Sequence, residues 1–239
     1  MIESEDMSGA KFVVVGGSKG IGLGIVNRLV GDGQEVVVLS RTAGDLGGLA
    51  GVTHVSVDLA SDDVTKDMLP EKIAGLAYCP GTLNLKPFRS LDASIFRDDF
   101  ELNVVGAVKV IQAALTGLKS ADSASVVMFS TVAVRQGIRA HASIAASKGA
   151  VEGLARTLAC ELAPKVRVNC IAPALTDTPL TSRFFGSEEK AKAMGEMYAL
   201  KRTGTVDDMA AAAHFLLSEN SAWMTGQVIG VDGGMSTLR

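Results

Sequence analysis

Val13-Val14-Val15-Gly16-Gly17-Ser18-Lys19-Gly20-Ile21-Gly22 runs from an apolar, β-branched stretch straight into a glycine-rich turn. Three valines in succession read as a strand buried on both faces. Gly16 permits a tight strand-to-helix corner, Gly20 lets backbone approach a pyrophosphate, and Gly22 lets the new helix pack close to the strand. The first helical turn presents N–H groups without partners of their own, a favourable seat for phosphate. A dinucleotide site is expected over Gly16, Ser18, Lys19, Gly20, Ile21 and Gly22, with Ser18 alternatively serving only as the helix N-cap.

The next strand, Val36–Leu39, leads into Ser40-Arg41-Thr42. An acidic residue here binds the ribose 2′-hydroxyl of NAD and repels the 2′-phosphate of NADP. Ser40 is neutral, and Arg41 and Lys19 place two cations nearby, which suits a phosphate dianion. The expected cofactor is NADP(H) in preference to NAD(H).

Strand-like runs continue at 54–57, 73–79, 125–130, 166–171 and 227–231, alternating with helical segments near 20–31, 93–118, 145–163, 187–199 and 206–218. The last opens Thr205-Val206-Asp207-Asp208, a capping-box start. This alternation predicts an α/β fold: a Rossmann-type doubly wound parallel sheet of about seven strands, with helices on both faces, in one domain over 10–239. The Gly-rich connection from Arg41 to His54 is too short for a long crossover helix, so a single turn or none is expected there.

The chain has 239 residues, 47% apolar and 21% charged, which fits one globular domain with a sizeable core. A net charge of −3 gives no reason to expect nucleic acid or an anionic membrane as partner. No uninterrupted apolar run reaches the roughly 18 residues of a membrane span. The acidic start lacks the pattern of a secretion signal, residues 1–9 read as a loose tail, and a cytoplasmic location is expected. Cys79 and Cys170 fall in strand patterns and Cys160 in a helix; all three read as small buried thiols without metal-like spacing. No metal site is expected. His54 and His214 read as structural.

These motifs resemble the short-chain dehydrogenase/reductase family over nearly the full length, and in look the bacterial 3-oxoacyl-carrier-protein-reductase type. The resemblance implies that Gly16 to Gly22 form the family's Gly-x-x-x-Gly-x-Gly turn and that Asp58 contacts adenine. Gly81 is what survives of an Asn-Asn-Ala-Gly motif, here Tyr78-Cys79-Pro80-Gly81. Asn103 matches a mid-helix asparagine at a helix break that positions a proton-relay water. Lys148 matches the lysine that bonds the nicotinamide ribose. Pro173 and Thr178 fall in the segment that holds the carboxamide, with Ala174 where glycine is usual, and Val231-Asp232-Gly233-Gly234 matches the C-terminal signature. Thr131 stands at the catalytic serine, with Ser130 beside it.

In Ile144-Ala145-Ala146-Ser147-Lys148 the lysine of the family's Tyr-x-x-x-Lys is present and the tyrosine is isoleucine. The phenol, its pKa lowered by the ammonium, would carry the proton, and isoleucine cannot. His141 is the candidate replacement: with a helical turn already formed, 141, 144 and 148 share a face. The alternative is a surface or capping histidine, and Ser143 is a weaker candidate.

Residues 180–200 fall at the family's substrate lid, where Phe184, Phe185, Met194, Met197 and Tyr198 suit a hydrophobic or acyl substrate. Arg183 is a candidate contact for an anionic carrier. The resemblance implies a homotetramer or homodimer through the helices at 93–118 and 145–163. The expected function is an NAD(P)(H)-dependent carbonyl/hydroxyl oxidoreductase with a non-standard active site. The alternative is a catalytically impaired dinucleotide-binding protein acting as sensor or partner subunit.

Overall fold

A computed structural model describes residues 9–238. The expected loose tail lies outside the described residues except for Gly9. Seven strands form one parallel sheet in the order β3-β2-β1-β4-β5-β6-β7. They are β1 (Lys11–Val15), β2 (Val36–Ser40), β3 (Val52–Ser56), β4 (Ile73–Tyr78), β5 (Ala124–Phe129), β6 (Val166–Pro173) and β7 (Val228–Val231). The strand order reverses between β1 and β4, the point at which such sheets bind ligands.

Period-two alternation divides the core. Val13 and Val15 of β1 join Leu76 and Tyr78 of β4 on one face, under α3 (Gly106–Ser120) and α4 (Ala142–Leu162). Val14 and Val38 face the other way, under α1 (Gly20–Gly31) and α6 (Val206–Leu217). Each face is covered by helices, so the strands are apolar throughout rather than alternating. The capping box of α6 is present, with Thr205 and Asp208 exchanging bonds.

Three expectations need correction. The segment at 93–118 is not one α-helix: α2 (Ala93–Phe100) joins α3 through a π-helical turn at Glu101–Val105. Taken together, Ala93–Ser120 has the length and apolarity to cross a membrane by composition, but Val104, Ala107, Val110, Ile111, Ala114 and Leu118 face the core. The lid helix, α5 (Glu188–Gly195), is shorter than 187–199. Cys160 is exposed, and Cys79 lies just past β4, half-buried. The Arg41-to-His54 connection holds the expected single turn, a 3-10 segment at Gly44–Leu46. Trp223, beyond α6, is fully exposed, and Phe215 on α6 is exposed as well.

Candidate active site

A cleft of about 510 Å³ opens at the carboxyl ends of β1, β2 and β4. Its walls include Gly16, Ser18, Lys19, Gly20, Ile21, Gly22, Ser40, Arg41, Asp58, Gly81 and Thr178. The glycines follow the strand for steric reasons. Gly16 has φ +73°, and a Cβ on Gly22 would strike the Gly16 carbonyl oxygen. The residue capping α1 is Lys19, not Ser18. The 3-10 turn folds back over the glycine loop, where Asp45 N–H donates to the Ser18 carbonyl at 3.2 Å. Lys19 and Arg41 are exposed on this rim. His54 braces it: its Nε2 lies 3.0 Å from Ser40 Oγ and 3.1 Å from the Ser40 carbonyl.

A second, largely apolar pocket of about 340 Å³ adjoins the cleft. Ile21, Cys79, Pro80, Gly81, Thr178 and Leu180 line both spaces, so the two are continuous. Thr131, His141, Ile144, Lys148 and Pro173 line the inner one. Ser143 is buried and is not among the lining residues. Of the lid residues, Phe184, Met194, Met197 and Tyr198 face the pocket and Phe185 does not. Arg183 donates to the Leu83 carbonyl at 3.3 Å and lies over the Phe184 ring, so it ties the lid to the facing loop.

The polar groups each have a determinate role. Thr131 Oγ1 accepts from Ala133 N–H at 3.3 Å, which leaves its own O–H to donate. The adjacent Ser130 instead donates to Glu152 Oε1 at 2.7 Å. His141 is the N-cap of α4, not its first helical residue. Its Nδ1 lies 2.7 Å from the Arg139 carbonyl, so Nδ1 carries a proton there. Asn103 sits in the π turn, fully buried. Its Nδ2 donates to the Asp99 carbonyl at 2.7 Å and to Thr82 Oγ1 at 3.1 Å. Burial pushes Lys148 down to about 8, opposed by Cys170, Cys79 and Asp99.

Residues 15–236 match the family model described as enoyl-(acyl carrier protein) reductase. L-xylulose reductase of Bos taurus is 33% identical over 236 residues, covering 95% of this chain and 97% of the relative. The 3-oxoacyl-[acyl-carrier-protein] reductase MabA of Mycobacterium tuberculosis is 33% identical over 231 residues, covering 93% of this chain and 91% of the relative. The chain belongs to the short-chain dehydrogenase/reductase family. Among solved structures, a short-chain type dehydrogenase/reductase from Mycobacterium ulcerans superposes with a TM-score of 0.84 at 29% identity, covering 96% of this chain and 90% of that one. Membership makes this an oxidoreductase of the NAD(P)(H)-dependent kind.

The residues fit such a dinucleotide. A Cβ on Gly81 would project to 3.6 Å from both Asn103 Oδ1 and Lys148 Nζ, so glycine there keeps the junction of cleft and pocket open. Three supports of this short-chain dehydrogenase/reductase site were missed in the sequence. Tyr78 Oη donates to the Leu102 carbonyl at 2.6 Å. Glu152 holds Ser130 and pairs with Arg156 at 3.0 Å. Asn84 Nδ2 donates to Asp99 at 2.7 Å. Each partner lies 4 to 24 positions away, and only the fold relates most of them. A polar residue closing an apolar run, as Tyr78 does after Ile73–Ala77, was the available signal; Asp99, among charged neighbours, offered none.

Proposed function

We propose that this protein interconverts an apolar carbonyl compound and its alcohol with NADP(H), at a site in which Ile144 takes the place of the proton-carrying phenol. One observation carries the reading: a phosphate-suited cleft runs without interruption into an apolar pocket, with Lys148 in that pocket beside Gly81, which lines both. The glycine turn and the start of α1 seat the diphosphate, Asp58 faces the adenine, and Gly81 leaves room for the nicotinamide. Pro173 and Thr178 would hold its carboxamide, and Lys148 would bond the adjoining ribose. Lys19 and Arg41 give the preference for the 2′-phosphate; neither forms an ion pair among the described residues. When bound, the cofactor supplies or accepts hydride.

The chain's own groups manage the oxygen. Thr131 donates a hydrogen bond to it, and Asn103 orders the polar side of the pocket. The proton comes from Lys148 Nζ, or from His141 Nε2 when that ring is doubly protonated. The pocket lining is mostly apolar, with Leu83, Phe129, Val132, Ile138 and Leu175 in the wall. That favours an acyl-like carbonyl, the class in MabA's description, over a polyhydroxylated sugar, whose hydroxyls would find few partners. The assembly is a homotetramer or homodimer through α3 and α4. Calorimetry with NADPH and NADH, followed by turnover on a carbonyl panel spanning acyl and sugar substrates, tests this. Tighter NADPH binding with turnover of apolar ketones is expected; NADPH binding without any turnover sinks it.

A second reading is favoured by Ile144 itself, which is buried and faces the pocket. It makes the protein a dinucleotide-binding sensor or partner subunit with no chemistry of its own. Co-purification with a catalytically competent homologue would support it.

A further inference from the structure

Four charged side chains are buried among the described residues: Asp99, Lys148, Glu152 and Arg167. Glu152 is answered by Ser130 and Arg156. Arg167 donates to the carbonyls of Leu216, Ser218 and Ser221. Asp99 and Lys148 remain, with opposite charge. Asp99 lies in α2, fully buried, and its Oδ1 accepts from Asn84. Its Oδ2 is buried without a partner among the described residues, and so is Asn103 Oδ1. A carboxylate left in this state is costly unless a cation answers it. Asn103 stands between the two: its Nδ2 donates to the Asp99 backbone carbonyl, and its Oδ1 and Lys148 Nζ each lie 3.6 Å from one point, the Cβ position of Gly81.

We propose that Asp99 is the counter-charge of Lys148 across Asn103, and that it holds Lys148 as the ammonium that gives the substrate oxygen its proton. This rests on the reading of Ile144 above. In the reducing direction the cofactor, when bound, would supply hydride with its electron pair to the substrate carbon. The carbonyl π pair moves onto oxygen, an N–H bond of Lys148 breaks as the O–H bond forms, and the amine regains a proton from solvent. Asp99 acts through Lys148 and is a positioning residue. Cys170 from β6, Cys79 from the end of β4 and Asp99 from α2 act on the Lys148 charge; His141 and Thr131 line the same pocket. Burial pushes both thiols up to about 12, so they stay neutral. Asp99 is the carboxylic side chain of this set.

The test is an NMR titration of the whole protein labelled at lysine Cε, with Lys148→Met identifying the resonance. The Lys148 midpoint should fall by about one unit or more in Asp99→Asn. The pH dependence of kcat for reduction should move with it. If Asp99→Asn does not fold, the reciprocal measurement is the Asp99 carboxyl resonance, whose midpoint should rise in Lys148→Met. An unchanged midpoint in either variant overturns the pairing. A shifted midpoint with an unmoved kcat profile, or with no turnover at all, overturns the donor role; absence of turnover alone bears on the oxidoreductase reading and leaves the pairing standing.

Discussion

Isoleucine has no proton to give, so Ile144→Tyr is the sharpest probe of the pocket. A positioned general acid is worth about 10²–10⁴-fold in rate. With Thr131 and Lys148 already lining the same space, the variant should gain in kcat on its best ketone in steady-state assays, by the full factor if no other group carries the proton and by less where Lys148 already does. No gain would mean that the neighbouring groups no longer converge on a substrate oxygen. Lys148 gives a second prediction. Burial holds it down to about 8 from an ordinary 10.5. Below pH 8 the lysine is charged in folded and unfolded chains alike, and the burial cost is present in full. Between 8 and 10.5 the unfolded chain keeps a proton that the folded chain has released, so stability rises with pH. Against Lys148→Met, the unfolding free energy should rise by something on the order of 2–3 kcal/mol across that window, read by denaturant melts at both ends. At this scale the glycines were legible because their constraints are local: a positive φ at Gly16, a forbidden Cβ at Gly22. Asp99 and Glu152 were not legible, since their meaning depends on partners that only the fold brings near.

The π turn at Glu101–Val105 explains a feature of the sequence that looked like drift. Gly106 N–H bonds the Glu101 carbonyl instead of that of Leu102, so the Leu102 carbonyl loses its helical donor. Tyr78 Oη, buried in β4, takes that place at 2.6 Å, and Gly106 leaves the room that hydroxyl needs. Tyr78→Phe should therefore strand a buried carbonyl and cost about 1–3 kcal/mol in stability. Its effect on kcat should exceed that on the KM for NADPH, since Asn103 belongs to the same turn; equal effects would make the bond purely structural. The break at Asn103 was readable from the family resemblance, but what supports it was not. Substituted motif residues at 78–80 carry no periodicity, and only the register of β4 against the α2–α3 junction shows what a phenol does there.

For the molecule as a whole, the parallel sheet with helices on both faces followed from the alternation of strand and helix patterns, because strands covered on both faces must be apolar throughout; the strand order is seen only in the structure. Element ends were less legible, as the shorter α5 shows, because caps and lid contacts such as Arg183 with Leu83 are settled in three dimensions. Cofactor choice also belongs at this scale, since it sums charges from the glycine loop and the end of β2. Arg41→Glu should lower the ratio of NADPH to NADH affinity by about 10- to 100-fold, the worth of one charge-assisted contact, as measured by calorimetry. A ratio that does not move would assign the 2′-phosphate to Lys19 alone.

The chain has one tryptophan, and Trp223 stands wholly in solvent. Its fluorescence therefore reports from a single known point and needs no label. A free subunit should emit at the long wavelengths of a hydrated indole. Should association cover that face, the emission moves to the blue at a concentration set by the dissociation constant, and a dilution series in a cuvette would read it.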